Sequence, residues 1–302
     1  MMQQPPIELL RERDFGQKIN ATFEFVSQNF RSLVLALIYI AGPPALLAGI
    51  AQGVLASNML GLRSNPDQIG SFILAQYLSY SFLVSLVFSL VAAYLVAATV
   101  YSFMALYEEE STFTVSEPIT PGRVWSKITE RLGTGIGAAL LAFVITLAGM
   151  IILVLPGIYA AICLQFVLMV VIREGDSADS ALGRSYRLVE GKWWSTFGLL
   201  VVMGLIAGVI SIVFQIPSFI LTILGTISLL GDKDSWNDHG ILVMLGSVIS
   251  IVGSTLVRSL IAVAMGFQYY NLVERVDGTG LRTAIENIGS PDTPRPDTEE
   301  DF

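Results

Sequence analysis

The feature that most constrains this chain is a series of long apolar runs almost free of Asp, Glu, Lys and Arg. They lie at about Ser32 to Met59, Ser71 to Leu106, Gly133 to Leu155, Ile158 to Ile172, Ser195 to Ile216 and Ile241 to Leu272, and Arg258 is the one clearly intramembrane charge among them. Crossing the hydrocarbon core of a bilayer takes roughly 20 apolar residues in a helix. Buried strands run to only about 4–8 residues. A chain of 302 residues with 53% hydrophobic and 14% charged residues, and a mean hydropathy of +0.67, also lacks the charge to cover a soluble surface. The expected fold is all-α: a polytopic membrane protein with six transmembrane helices arranged as three hairpins.

Prolines punctuate the runs. Pro43 and Pro44 interrupt the first, and Pro156-Gly157 predicts a tight outer turn between the third and fourth. Pro217 opens a further apolar stretch to Leu230, read either as a bent continuation of the fifth span or as a re-entrant piece. The second run is far longer than one crossing needs, so its helix must tilt, break or project.

Between the runs lie segments of helical period with one polar face. The first sets Phe15, Ile19, Phe23, Val26 and Phe30 on one side and turns Gln17, Lys18, Glu24 and Gln28 away. The second opens with Thr120 as N-cap and Pro121 at the first helical position, then sets Val124, Trp125, Ile128 and Leu132 against Lys127, Glu130 and Arg131. A third, opened by Asp176, places Ala178, Ala181, Leu182, Ser185 and Val189 on one face and Asp179, Arg184, Arg187 and Glu190 on others. A fourth follows the last crossing, with Leu281, Ile285 and Ile288 opposite Arg282 and Glu286. Such helices lie in the headgroup plane or pack beneath the bundle.

The order repeats three times: amphipathic helix, then two crossings. Exits from the membrane are alike, as Leu106-Tyr107-Glu108, Ile172-Arg173-Glu174 and Leu272-Val273-Glu274. Of the 17 Lys and Arg, those at 11, 13, 18, 31, 123, 127, 131, 173, 184, 187, 192, 275, 282 and 295 fall on one side of the six spans, and the opposite loops hold only Arg63 and Lys233. The positive-inside rule therefore puts both termini and all four amphipathic helices in the cytoplasm. Residues 1–31 are expected to form a cytoplasmic N-terminus without a cleavable leader, 32–289 the membrane domain, and 290–302 an acidic tail expected to be disordered, which carries part of the net charge of −8.

Arg258 is the first candidate site. It lies roughly 20 Å along the helix from Glu274. Gly246, Ser250 and Ser254 precede it at four-residue spacing, a small and polar stripe that should face other helices. One reading is a site for an anion, a lipid phosphate or a permeating ion. The other is a structural arginine capped by backbone carbonyls, Gln165, Gln215 or a loop carboxylate. The spans hold no Asp or Glu, which weakens a proton-coupled pump.

Other patterns are weaker. Ser81, Ser85 and Ser89, Gly133 and Gly137, and Gly204 and Gly208 are small-xxx-small sets explained by close helix packing. The run from Gly133 to Ala138 imitates a dinucleotide fingerprint, but no strand precedes it. Asp232, Asp234, Asp238 and His239 gather in one outer loop without the spacing of a calcium loop, and Glu108, Glu109 and Glu110 read as a solvated helix end or a dock for a basic partner. A lone Cys163 permits neither an intramolecular disulfide nor a cysteine-rich metal site. No catalytic set, phosphate loop or cofactor motif emerges, and no catalytic, metal or cofactor residue is assigned.

Pro156-Gly157-Ile158-Tyr159, followed by Ala181-Leu182-x-Arg184-Ser185-Tyr186-x-Leu188-x-x-Gly191-x-Trp193-Trp194, resembles the YciC-like family of bacterial six-span proteins. A relative of that family is the membrane domain attached to some glycerophosphodiester phosphodiesterases. The resemblance covers the third crossing through the fifth. It implies a bacterial inner-membrane protein with amphipathic cytoplasmic connectors and supplies no catalytic residue; the phosphodiesterase domain is absent here. In the motif, Arg184 and Arg187 can reach lipid phosphates or carboxylates of neighbouring connectors, while Trp193 and Trp194 hold the start of the fifth span at headgroup level. The expected function is a non-enzymatic scaffold or accessory subunit that meets lipids and other membrane or cytoplasmic proteins, with no role for nucleic acid. The alternative is a channel or transporter for a lipid or small anion that uses Arg258.

Overall fold

The computed structural model describes residues 7–62, 79–112, 118–231 and 236–278. Eleven helices and no strand occur among them: α1 (Phe15–Gln28), α2 (Phe30–Ile40), α3 (Gly42–Leu62), α4 (Tyr80–Thr112), α5 (Pro121–Glu130), α6 (Leu132–Ile152), α7 (Val154–Cys163), α8 (Val167–Arg173), α9 (Ala178–Val189), α10 (Trp193–Gly231) and α11 (Trp236–Asp277). The fourth amphipathic segment, the acidic tail, Arg63, Lys233, Asp232 and Asp234 lie outside the described residues, and the side chains of Asp238 and His239 are not described.

Five stretches are long and apolar enough to cross a membrane, within α4, α6, α7 with α8, α10 and α11; α2 and α3 together, bent by 58°, make a sixth. The three hairpins are α2/α3 with α4, α6 with α7/α8, and α10 with α11, and in each the two arms pack on one another. The bend in the first arm falls at Ala41, and Pro43 and Pro44 then occupy the first turn of α3. Those positions have no intrahelical acceptor for an N–H, so two prolines cost little there.

One proline reading changes and a second is decided. The turn between α6 and α7 is made by Leu153 alone, in extended backbone, and Pro156-Gly157 belongs to the first turn of α7. Gly157 is needed for contact: a Cβ there would stand 2.6 Å from the Met150 nitrogen. At Pro217 the continuation forms and the re-entrant piece does not, because α10 runs through it without interruption to Gly231. One lost backbone hydrogen bond inside a long helix is tolerated where local adjustment and neighbouring helices compensate. At about 1.5 Å per residue this 39-residue helix is near 60 Å long, well beyond the hydrocarbon core, so it tilts or projects.

The core gathers at the end of the bundle that carries α1, α5 and α9, here called the collar end. Phe25 of α1 meets Phe103, Tyr107 and Phe267 edge-on at 5.1 to 6.0 Å, and Phe166, Met169, Tyr269 and Tyr270 are fully buried beside them. Away from the collar, toward the distal end, the spans present apolar side chains outward. Leu83 and Leu90 of α4, Leu140 and Phe143 of α6, and Leu205 and Val209 of α10 are all exposed, as suits a surface that meets lipid rather than water.

The collar helices follow their expected boundaries. Asp14 accepts from Gln17 N at 2.8 Å while the Gln17 side chain accepts from Asp14 N at 3.2 Å, a reciprocal cap on α1. Thr120 caps α5, with Pro121 at its first position. In the third the N-cap position falls to Ser177, whose hydroxyl donates to Asp179, rather than to Asp176, which accepts from Ser180 Oγ. The face of α1 is also revised: Lys18, Ala21, Thr22 and Phe25 pack on the bundle, while Phe15, Phe23 and Phe30 are exposed.

Candidate functional site

Two sets of polar residues stand out, one closed and one open. The closed set lies at the collar end, where the exits of the spans converge. Arg173 donates through Nε and Nη2 to the two oxygens of Glu108, each at 2.7 Å, and its guanidinium lies over the rings of Tyr269 and Tyr270. Tyr270 OH donates to the same carboxylate at 2.9 Å, and Tyr269 OH donates to Glu174. Arg184 then joins Glu174, at 3.0 Å, to Asp277. The hydrogen bond to Asp277, together with Glu174, holds the Arg184 guanidinium above its ordinary range despite the opposing effect of burial. One chain of charge-assisted bonds thus ties α4, α8, α9 and α11 together.

The acidic run in the last turns of α4 is paired within the chain rather than left as a free dock. Glu108 pairs with Arg173, Glu109 with Lys127 at 2.6 Å and Glu110 with Arg123. On the other flank Lys18, only 3% exposed, donates to Gln268 Oε1 at 2.6 Å, and Gln268 Nε2 donates to Thr196 Oγ1 at 3.0 Å. Burial is the main reason that the Lys18 ammonium sits below its ordinary 10.5; Arg275 and Lys192 push the same way and Asp14 opposes them. Helical periodicity had turned Lys18 outward. The missed signal is the polar triplet Gln268, Tyr269 and Tyr270 at the end of an otherwise apolar span.

The motif from Tyr159 to Trp194 is a structural joint. The fourth span breaks at Leu164 to Phe166, which leaves backbone groups without helical partners. Ser185, fully buried on α9, donates to the Cys163 carbonyl at 2.7 Å and accepts from Phe166 N at 3.2 Å. Trp193 Nε1 donates to the Tyr159 carbonyl at 3.3 Å, and its ring stacks between Tyr159 and Phe197. Gly191 has φ +72°, a left-handed turn that suits glycine between α9 and α10. Of the residues expected to meet lipid, Tyr186, Arg187 and Trp194 are exposed, whereas Trp193 lies within the stack and Arg184 is held by carboxylates. Family comparison covers this joint and nearly all of the bundle: the model of a domain of unknown function, DUF7847, matches residues 15–272. The chain belongs to the DUF7847 family. The matched stretch of this DUF7847 protein runs from the first residue of α1 to Leu272, beside the collar network. No curated protein and no solved structure matches the chain.

The open set in this DUF7847 member is the intramembrane stripe. Arg258 is exposed, Ser250 and Ser254 are half-buried, and Gln215 is exposed across the seam on α10. Gln215 and Ser250 share a recess of about 420 Å³ with Ile212, Ile216 and Phe219. Arg258, Ser250, Ser254 and Gln215, and Gln165 in the break of the fourth span, have no side-chain hydrogen-bond or ion-pair partner among the described residues, and the loop carboxylates lie outside them. The small-residue sets also divide. Ser85 packs against α3, donating to the Ala48 carbonyl and Gln52, but Gly133, Gly137, Gly204 and Gly208 face open space. The glycines that do permit close approach are others, Gly49, Gly53, Gly246 and Gly253 around α11 and Gly135 against Tyr94. Among the described residues no group of His, Cys, Asp and Glu is arranged to hold a metal ion.

Proposed function

We propose that the protein is a non-enzymatic multi-pass protein of the bacterial inner membrane that serves as a scaffold or accessory subunit of an envelope-associated complex, with both termini and the collar in the cytoplasm. The observation that carries this reading is the collar itself. Five ion pairs tie α4, α5, α8, α9 and α11 to one another there, which stiffens the platform. Around that platform Phe15, Phe23, Phe30, Trp125, Tyr186 and Trp194 project outward, as aromatic side chains do at the headgroup level of a membrane. The distribution of Lys and Arg supports the orientation, and the YciC-like resemblance of the joint supports the inner membrane. The alternative, a channel through the bundle, is less well supported, because a path past Arg258 toward the collar meets Met265, Phe166 and Tyr269, all fully buried.

The experiment is gentle purification of the full chain at native expression level, with identification of the proteins and lipids that accompany it. A stoichiometric protein partner supports the scaffold. A chain that remains alone after cross-linking in its own membrane refutes it. Reporter fusions at Asp67 and Asp234 test the orientation, and cytoplasmic signal from either overturns it.

A further inference from the structure

Arg258 poses a problem that the chain does not solve by itself. No Asp or Glu occurs in 32–62, 80–107, 132–172, 193–231 or 241–273, so at this depth the protein offers no countercharge to the guanidinium. An unpaired charge in hydrocarbon is costly, and intramembrane cations are ordinarily paired or open to water. Arg258 is exposed and has no partner among the described residues.

Its position on α11 defines where a partner must lie. Val248 and Ile251 pack against Gly49 of α3, while Gly246 and Gly253 pack against Ser218 and Phe214 of α10. At about 100° per residue, Ser250, Ser254 and Arg258 trace a stripe that crosses the interval between those two packed faces. Toward the collar the same side of α11 continues into Ala262, Met265 and Tyr269, all buried, so the groove has a floor. Toward the distal end it leads to the recess at Gln215 and Ser250, walled by Ile212, Ile216 and Phe219. The groove therefore offers a deep cation, hydroxyl and amide donors above it, and an apolar wall beside them.

We infer that this groove binds an anionic amphiphile, its oxyanion headgroup at Arg258 and its acyl chain against the apolar wall of α10. A guanidinium takes a phosphate or carboxylate through two parallel N–H bonds, and Ser254, Ser250 and Gln215 supply further donors. The shared chemistry is an oxyanion on a hydrocarbon tail, whose source is either a phospholipid or a free fatty acid.

The test uses the delipidated full chain in detergent, titrated with phosphatidylglycerol, oleate, phosphatidylcholine or inorganic phosphate, with bound lipid counted by native mass spectrometry and thermal stability followed in parallel. Phosphatidylglycerol or oleate should bind at a single site and raise Tm, binding roughly tenfold more weakly to Arg258→Gln and with intermediate strength to Arg258→Lys. Binding of phosphatidylglycerol alone assigns a phospholipid, and binding of oleate alone a fatty acid. Equal adducts in the parent and the Arg258 variants overturn the proposal, as does an identical response to inorganic phosphate without a tail or to zwitterionic phosphatidylcholine. If Arg258→Gln does not fold, Gln215→Leu with Ser254→Ala carries the test, since loss of two donors should weaken the same adduct several-fold and an unchanged adduct refutes the site.

Discussion

Replacing Ser185 with Ala should damage this protein more than its small change in volume suggests. The hydroxyl lies fully buried and satisfies two backbone groups at once, the Cys163 carbonyl at 2.7 Å and the Phe166 amide at 3.2 Å. Both groups belong to the break between α7 and α8, so neither has a helical partner to return to. Leaving a buried donor or acceptor unmade costs about 1–3 kcal/mol each, and a carbonyl with a second lone pair falls at the lower end. The sum is about 2–4 kcal/mol. At roughly 2–4 °C per kcal/mol, Tm should fall by roughly 5–15 °C. Thermal unfolding of the purified chain in detergent measures the total, and hydrogen exchange across residues 160–168 localises it, because the Phe166 amide loses its acceptor. Ser180→Ala is the control, its hydroxyl bonding to Asp176 at the exposed start of α9 and its loss costing less than about 0.5 kcal/mol. A Ser185→Ala protein that melts within a degree of its parent, with the Phe166 amide still protected, would refute the idea that Ser185 repairs the break.

Three further expectations follow from the same geometry. Glu108→Ala should cost about 1–3 kcal/mol, because Arg173 and the Tyr270 hydroxyl both lose a partner in a half-buried setting, whereas Glu109→Ala, whose partner is nearer solvent, should cost under about 1 kcal/mol; a double-mutant cycle with Arg173 measures the coupling, and equal losses at the two glutamates contradict the network. Gly157→Ala forces a methyl into the Met150 backbone and should destabilise the α6–α7 hairpin by about 1–3 kcal/mol, while Gly204→Ala, with open space around it, should be neutral or stabilising by up to about 1 kcal/mol; the reverse order in thermal unfolding would show that the hairpin is not packed this way. Lys18 is protonated less readily in the folded chain than its ordinary 10.5, so the unfolded chain binds more protons and stability should rise as pH approaches that value; Lys18→Met should flatten the Tm profile on the alkaline side as pH nears 10.5, and identical slopes would refute the buried ammonium.

The collar illustrates how far linear reasoning reached. Thr120 and Pro121 placed the start of α5 correctly, because a cap and a fixed φ act within one turn. The buried set Ala181, Ser185 and Val189 on α9 was equally legible from its period. Periodicity failed on α1, where Phe15 and Phe23 formed the obvious apolar face. In a membrane protein an apolar face has two possible hosts, lipid or bundle, and Lys18 could be buried only because Gln268, 250 residues away, offers it an acceptor. The break in the fourth span carries no Gly or Pro at Leu164 to Phe166, and the hydroxyl that satisfies it, that of Ser185, arrives from another helix.

The sequence by itself determined the class of fold, the order of three hairpins and the asymmetry of charge. Each of these depends on a run length, a period or a count that the bilayer or one helical turn reads locally. Tertiary structure alone decided which glycines pack, where the acidic run at the end of α4 finds its cations, and which way Arg258 faces. Those outcomes depend on which residues meet across distant helices, and the geometry of those meetings is set by the packing of the whole bundle rather than by any stretch of chain.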